Sequence, residues 1–200
     1  MGCRREARLA ALFLANLAAL LACAERGLAP GQSVELSPSR GILIVHVESP
    51  HALDKLWLGN GIAVDRIPAG GSLRLVILPA GAYRWSRIDL ASGVPGYRYW
   101  IQMRRDPHWE FRVEAGAMCY AGALLLEHDS GPGRAQRLFP RIVNRSSTML
   151  DLLERKHPEL LLRHPLRYTG RGRDDFLSAY QTVVRGLRES EALQPMPEGE

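Results

Sequence analysis

Residues 56–90 read LWLGNGIAVDRIPAGGSLRLVILPAGAYRWSRIDL, and this stretch decides the fold. Leu56-Trp57-Leu58 leads into Gly59-Asn60-Gly61, and Ile62–Ile67 follows. Asn-Gly between two apolar runs is a strong hairpin signal, because Asn and Gly tolerate the positive φ that the tight turn needs. Ala69-Gly70-Gly71-Ser72 then turns the chain into Leu73–Leu78, where Leu73, Leu75 and Ile77 share a face. Pro79-Ala80-Gly81 turns it again into Tyr83–Leu90. Apolar side chains recur every second residue, which is the period of a strand.

The same period extends on both sides. Upstream, Leu43, Val45 and Val47 share one face of Ile42–Glu48, while His46 and Glu48 fall on the other. That second face reads as a solvated one. Downstream, Tyr97–Met103 alternates, and Trp109, Phe111 and Val113 alternate with Glu110, Arg112 and Glu114. Met118–Glu127 is apolar on both faces, as a central strand is. Leu138–Val143 carries Pro140, which places it at an edge or bulge. Eight or so short strands punctuated by turns predict a mainly β chain, an antiparallel β-sandwich over 41–144.

Strand–Pro79-Ala80-Gly81-Ala82-Tyr83–strand resembles the Pro-Gly-x-Tyr turn of PEGA-type and transthyretin-like modules in bacterial envelope proteins. Here the glycine stands one place later, with Ala80 next to the proline. Val113–Gly122 (VEAGAMCYAG) is similar to a stretch in uncharacterised proteobacterial lipoproteins of that kind. The resemblance covers roughly 41–128 and implies an Ig- or transthyretin-like sandwich in the envelope, with no catalytic residues to carry over.

After Asn144 the period becomes helical. Thr148-Met149-Leu150-Asp151 has the form of a capping box, and the helix is expected to stop near His157-Pro158. A second helix is predicted over 174–188, with Asp174 and Asp175 at its start and Arg185 and Arg188 at its end. Phe176, Tyr180, Val183 and Leu187 form its apolar stripe. These two helices make a 145–189 extension packed on the sandwich, and 190–200 (EALQPMPEGE after Ser190) reads as a disordered acidic tail.

The amino terminus is distinct. Arg4, Arg5 and Arg8 precede the apolar run Leu9–Ala22, which is too short to cross a bilayer and has the size of a signal-peptide core. The run ends in Leu20-Leu21-Ala22-Cys23. This resembles a bacterial lipobox, which implies removal of residues 1–22 and lipidation of Cys23. Ala24 after the cysteine implies the periplasmic face of the outer membrane rather than the inner membrane. Residues 23–40 read as the lipidated cysteine and a flexible tether; seventeen such residues reach about 20–25 Å.

The net charge is +5, and residues 1–22 supply +2 of it (three Arg, one Glu), so the processed chain carries +3. Only Lys55 and Lys156 are lysines among the 26 basic residues. That balance predicts no nucleic-acid partner, which needs a clustered basic face. Without Cys3 and with Cys23 lipidated, Cys119 has no disulfide partner and reads as a small buried hydrophobe.

No His-x-x-x-His, Cys-x-x-Cys or Gly-Lys-Ser/Thr pattern occurs, so no metal or cofactor is expected. His128-Asp129-Ser130 contains the residue types of a hydrolytic triad but no nucleophile-elbow pattern. With Cys119 it is what an exported hydrolase would have to use. Tyr97, Tyr99, Trp100 and Trp109 suggest core packing or a ligand-stacking platform, with Trp100 the exposed member. Arg163, Arg167, Arg171 and Arg173 are the densest basic run and suit anionic headgroups or lipopolysaccharide phosphates. The expected function is non-enzymatic: a lipid-anchored envelope module that binds a partner protein or an envelope polymer.

Overall fold

The computed structural model describes residues 27–32, 34–92, 98–129 and 137–192. The Leu20-Leu21-Ala22-Cys23 stretch read as a lipobox, Tyr97, Ser130 and residues 193–200 lie outside them. The described residues are mainly β, with 46% strand against 22% helix. The strands are β1 (Arg40–Ser49), β2 (Leu53–Trp57), β3 (Ala63–Ile67), β4 (Gly70–Pro79), β5 (Gly81–Arg84) and β6 (Arg87–Leu90). They continue with β7 (Tyr99–Gln102), β8 (Glu110–Val113), β9 (Met118–Asp129), β10 (Arg137–Val143) and β11 (Leu166–Tyr168). Helices α1 (Ser146–Lys156), α2 (Pro158–Arg163) and α3 (Asp175–Ala192) complete the described residues.

The hairpin forms where the sequence places it. Asn60 has φ 51° between Gly59 at 81° and Gly61 at 75°, and β2 pairs antiparallel with β3 across them. The turn at Pro79 is closed by the Tyr83 hydroxyl, which donates to the Pro79 carbonyl at 2.8 Å. Tyr83–Leu90 is two strands rather than one. Trp85, buried in the core, bonds the Trp109 carbonyl through its N–H, and Ser86 bonds Trp57. The chain thereby passes from a two-stranded sheet (β5-β8) to a four-stranded one in the order β3-β2-β6-β7.

The third sheet runs β10-β9-β1-β4, with β11 also on β9, and it is mixed rather than purely antiparallel. Both β1 and β11 run parallel to β9. One edge of β9 is shared: β11 pairs with Met118–Tyr120 and β10 with Ala123–Asp129. Gly122, at φ 91°, stands where the partner changes. β10, with Pro140, is an edge strand as expected.

Two hydrophobic cores lie on the two faces of this sheet. Leu43, Val45 and Val47 point into one, together with Leu56 and Ile88 of the four-stranded sheet and Phe111 of β8. Ile42, Ile44, Met118 and Tyr120 point into the other, against Met149, Leu153, Leu160 and Leu177 of the helices. β1 is therefore buried on both sides. The face of His46 and Glu48, expected to be solvated, lies under the helices, and His46 is 3% exposed.

Four further expectations change. There are three helices among the described residues, and α1 begins at Ser146. The Asn144 side-chain oxygen accepts from the Ser146 N–H at 2.9 Å, and Thr148–Asp151 lies inside the helix and caps nothing. α3 runs on to Ala192, past the expected start of the tail. It buries Leu177 and partly buries Tyr180, leaving Phe176 (46%) and Val183 (61%) exposed. The stripe that packs is thus offset from the predicted one; the Leu187 side chain is outside the described set.

The segment read as a tether is also engaged. The Leu28 N–H donates to the Leu75 carbonyl at 3.0 Å and the Gly31 N–H to the Lys156 carbonyl at 3.2 Å. Leu28 and Leu36 pack on the helical-side core. The described part of that segment is therefore held against the domain from Leu28 onward.

Candidate functional site

The exposed face of the four-stranded sheet gathers the chemistry. The pairing registers set Asp65 opposite Lys55, Lys55 opposite Asp89, and Asp89 opposite Trp100. Two residues along each strand, Trp57 stands opposite Arg87, and Arg87 opposite Gln102. Strand alternation sends all of these side chains to the same side.

Within this face the groups hold one another. The Asp89 carboxylate accepts from the Trp57 indole N–H at 2.9 Å and from the Arg87 Nε. The Arg87 guanidinium lies over the Trp100 ring, 5.5 Å from its centre, and 6.0 Å from that of Trp57. Lys55 sits 5.4 Å from the Trp57 ring centre and 3.6 Å from Asp65. The indole faces attract these cations through the ring quadrupole. Trp57 and Arg87 are thus positioned by neighbours, whereas Trp100 is 59% exposed and presents an open ring.

An open groove of about 650 Å³ runs beside this cluster, between Asp65, Asp89, Arg98 and Tyr99. Arg66 lines it as well, with φ 52°, an unusual conformation for a side-chain-bearing residue. Arg74 fixes that geometry: its guanidinium donates to the Asp65 carbonyl at 2.7 Å and to the Arg66 carbonyl. Such local strain is characteristic of functional sites. The groove therefore offers carboxylates, guanidinium groups and the Tyr99 ring, and the exposed Trp100 indole lies beside it against Arg87.

The other sequence candidates are distributed as follows. Tyr99, like Trp100, is exposed (57%) and so is not core; Trp109 is partly buried against it. Arg167 donates to Gln181 at 3.2 Å, Arg171 lies 3.9 Å from Asp106, and Arg173 lies 3.6 Å from Asp175. Arg163 ends α2. The run is largely engaged locally rather than converged on one site.

Cys119 is fully buried. Burial pushes its thiol up to about 11, and the Glu114 N–H donates to Sγ at 3.1 Å. A thiol that stays protonated is a poor nucleophile. His128 packs edge-on against His51, ring centres 5.2 Å apart; Ser130 lies outside the described residues. The sequence did not point to the chain of polar groups that runs from buried Tyr120 and His46 out to the surface. Along it, Tyr120 Oη is 3.4 Å from His46 Nδ1, His46 Nε2 is 3.5 Å from Glu48, and Glu48 is 3.5 Å from Arg145. Its sequence signal was His46 and Glu48 on the strand face that also carries Ile42 and Ile44.

Comparison with models of protein families, with curated proteins and with solved structures finds no match.

Proposed function

We propose that the protein is a non-enzymatic lipoprotein of the bacterial envelope, lipidated at Cys23 and carried on the periplasmic face of the outer membrane. Its β region is an Ig- or transthyretin-like sandwich that binds a saccharide-containing envelope polymer across the outer face of β3-β2-β6-β7. The anchor rests on Arg4, Arg5, Arg8, the apolar run and Leu20-Leu21-Ala22-Cys23. The sandwich reading is supported by the core that β1, β2, β6 and β8 share.

The observation that carries the binding reading is the exposed Trp100 ring against Arg87, whose side chain also lines the open groove next to it. A sugar ring offers an apolar face to stack on an indole and hydroxyls for carboxylate and guanidinium partners. Arg66 and Arg98 at the groove match a polymer that also bears anionic groups.

Co-sedimentation of the processed chain with purified peptidoglycan sacculi tests this. Trp100→Ala is expected to weaken binding about tenfold, as loss of an aromatic anchor does, with an unchanged melting temperature. Wild-type protein that stays in the supernatant, or a Trp100→Ala variant that binds equally, overturns the proposal.

A further inference from the structure

If Cys23 carries lipid, the length of free chain behind it fixes how the domain meets the bilayer. Leu28 is bonded to Leu75 of β4, and Gly27 lies beside Arg74. Five Cα–Cα steps separate Cys23 from Leu28, a reach of at most roughly 17–18 Å. A domain of about 170 residues has a radius of gyration near 15 Å and is roughly 40 Å across. The leash is less than half the diameter of what it holds. Most orientations would drive the domain into the headgroups or pull Leu28 off β4.

The allowed orientation is set by what surrounds the junction. β4 is the free edge of its sheet, so nothing in the sheet stands between it and the bilayer. Arg74 lies there, bonded to carbonyls and not to a carboxylate, and it holds Arg66 next to it. On the other side the Gly31 N–H meets the Lys156 carbonyl at the end of α1, placing one of the two lysines beside the junction. Arg74 thus stands at the junction, and the backbones of Arg66 and Lys156 are held close by, each carrying an exposed cationic side chain. Anionic headgroups attract each such cation near the surface.

We propose that the domain sits directly on an anionic bilayer, with the free edge of β4 and the C-terminal end of α1 turned to the headgroups. Arg66, Arg74 and Lys156 are its surface contacts. This rests on the lipidation of Cys23. It also deepens the binding reading: Arg66 belongs to both the junction and the groove, so the groove opens at headgroup level. The polymer is then met at the membrane surface rather than across the periplasm.

The test uses full-length lipidated protein in phosphatidylethanolamine vesicles containing phosphatidylglycerol and a headgroup-labelled acceptor lipid. A donor fluorophore is attached at Glu154→Cys, in the last turn of α1, or at Arg141→Cys, on the opposite sheet edge. Cys119, being buried, does not compete for the label. Energy transfer from position 154 is expected to be about threefold more efficient than from 141. A Gly-Ser spacer of roughly twenty residues inserted between Arg26 and Gly27 should equalise the two by freeing the orientation. Labelled palmitate is counted on the same samples. Equal transfer without the spacer, in protein that carries palmitate, overturns the orientation and leaves the lipidation standing; absence of palmitate on Cys23 overturns both.

Discussion

The Ser146 hydroxyl donates a hydrogen bond to the Asp174 carboxylate, tying the first turn of α1 to the start of α3. Both residues are buried, and the other carboxylate oxygen accepts the Leu177 N–H at 2.8 Å. Asp174 is thus the N-cap of α3 and a polar joint between two helices that also share the core of Met149, Leu153 and Leu177.

Asp174→Ala removes both roles. It uncaps α3 and leaves the Ser146 hydroxyl without this acceptor, so a loss of about 1–3 kcal/mol is expected. Asp174→Asn keeps an oxygen for the Leu177 N–H and is expected to cost less. Urea midpoints of the two variants check the order. A variant pair of equal stability would show that the cap is irrelevant.

His46 gives stability a pH dependence of known sign. Burial lowers its pKa below 6.5, partly opposed by Glu48 and reinforced by Arg145. The unfolded chain takes up a proton near 6.5, whereas the folded chain does so only at lower pH. Stability is therefore full above 6.5 and declines as the pH falls from there towards the folded-state value. His157, also buried with its pKa lowered, contributes the same sign. Urea midpoints at pH 7.5 and pH 5 should differ, and His46→Gln should reduce the difference without abolishing it. An unchanged slope in that variant would remove His46 from the account.

What the sequence disclosed depended on how far apart the interacting residues lie. The hairpin at Gly59-Asn60-Gly61 was legible because its cause is local: residues that tolerate positive φ between two apolar runs. β9 was legible as central because it is apolar on both faces. The burial of His46 was not, since the helices that cover it begin a hundred residues later. Nor was the break between β5 and β6, because a buried Trp85 alternates as well in a continuous strand as at a crossing. The candidate groove depends on register. Trp100 was identified as exposed, but Trp57, Arg87 and Asp89 meet it only through the pairing of β2, β6 and β7.

Gly122 is expected to tolerate no side chain. At φ 91° a Cβ is strained, and it would stand 2.6 Å from Ile142 Cγ2 and 3.1 Å from the Val143 carbonyl oxygen. The bulge there lets β9 change partner from β11 to β10, so the backbone has little room to relax. Gly122→Ala should cost about 2–4 kcal/mol from strain and overpacking together. Thermal unfolding measures it. A melting temperature within a degree of wild type would mean that the β9–β10 junction is soft.

The offset stripe on α3 yields the last expectation. Leu177 (2% exposed), Tyr180 and Val184 recur at helical spacing, as do Phe176, Tyr180 and Val183, and the pattern alone does not choose between them. The Asp174 carboxylate does: by bonding both Ser146 and the Leu177 N–H, it fixes the rotation of the helix so that Leu177 enters the core. Leu177→Ala should therefore cost about 2–5 kcal/mol, the range for emptying a packed leucine site. Phe176→Ala, removing a half-exposed ring, should cost about 1 kcal/mol or less. Ending the chain at Gly172 removes Asp174 and Leu177 together and should give a protease-sensitive product. Equal losses at 176 and 177 would mean that α3 is rotated from this position. A Gly172 product that melts like the full chain would mean that the helix contributes nothing to the core.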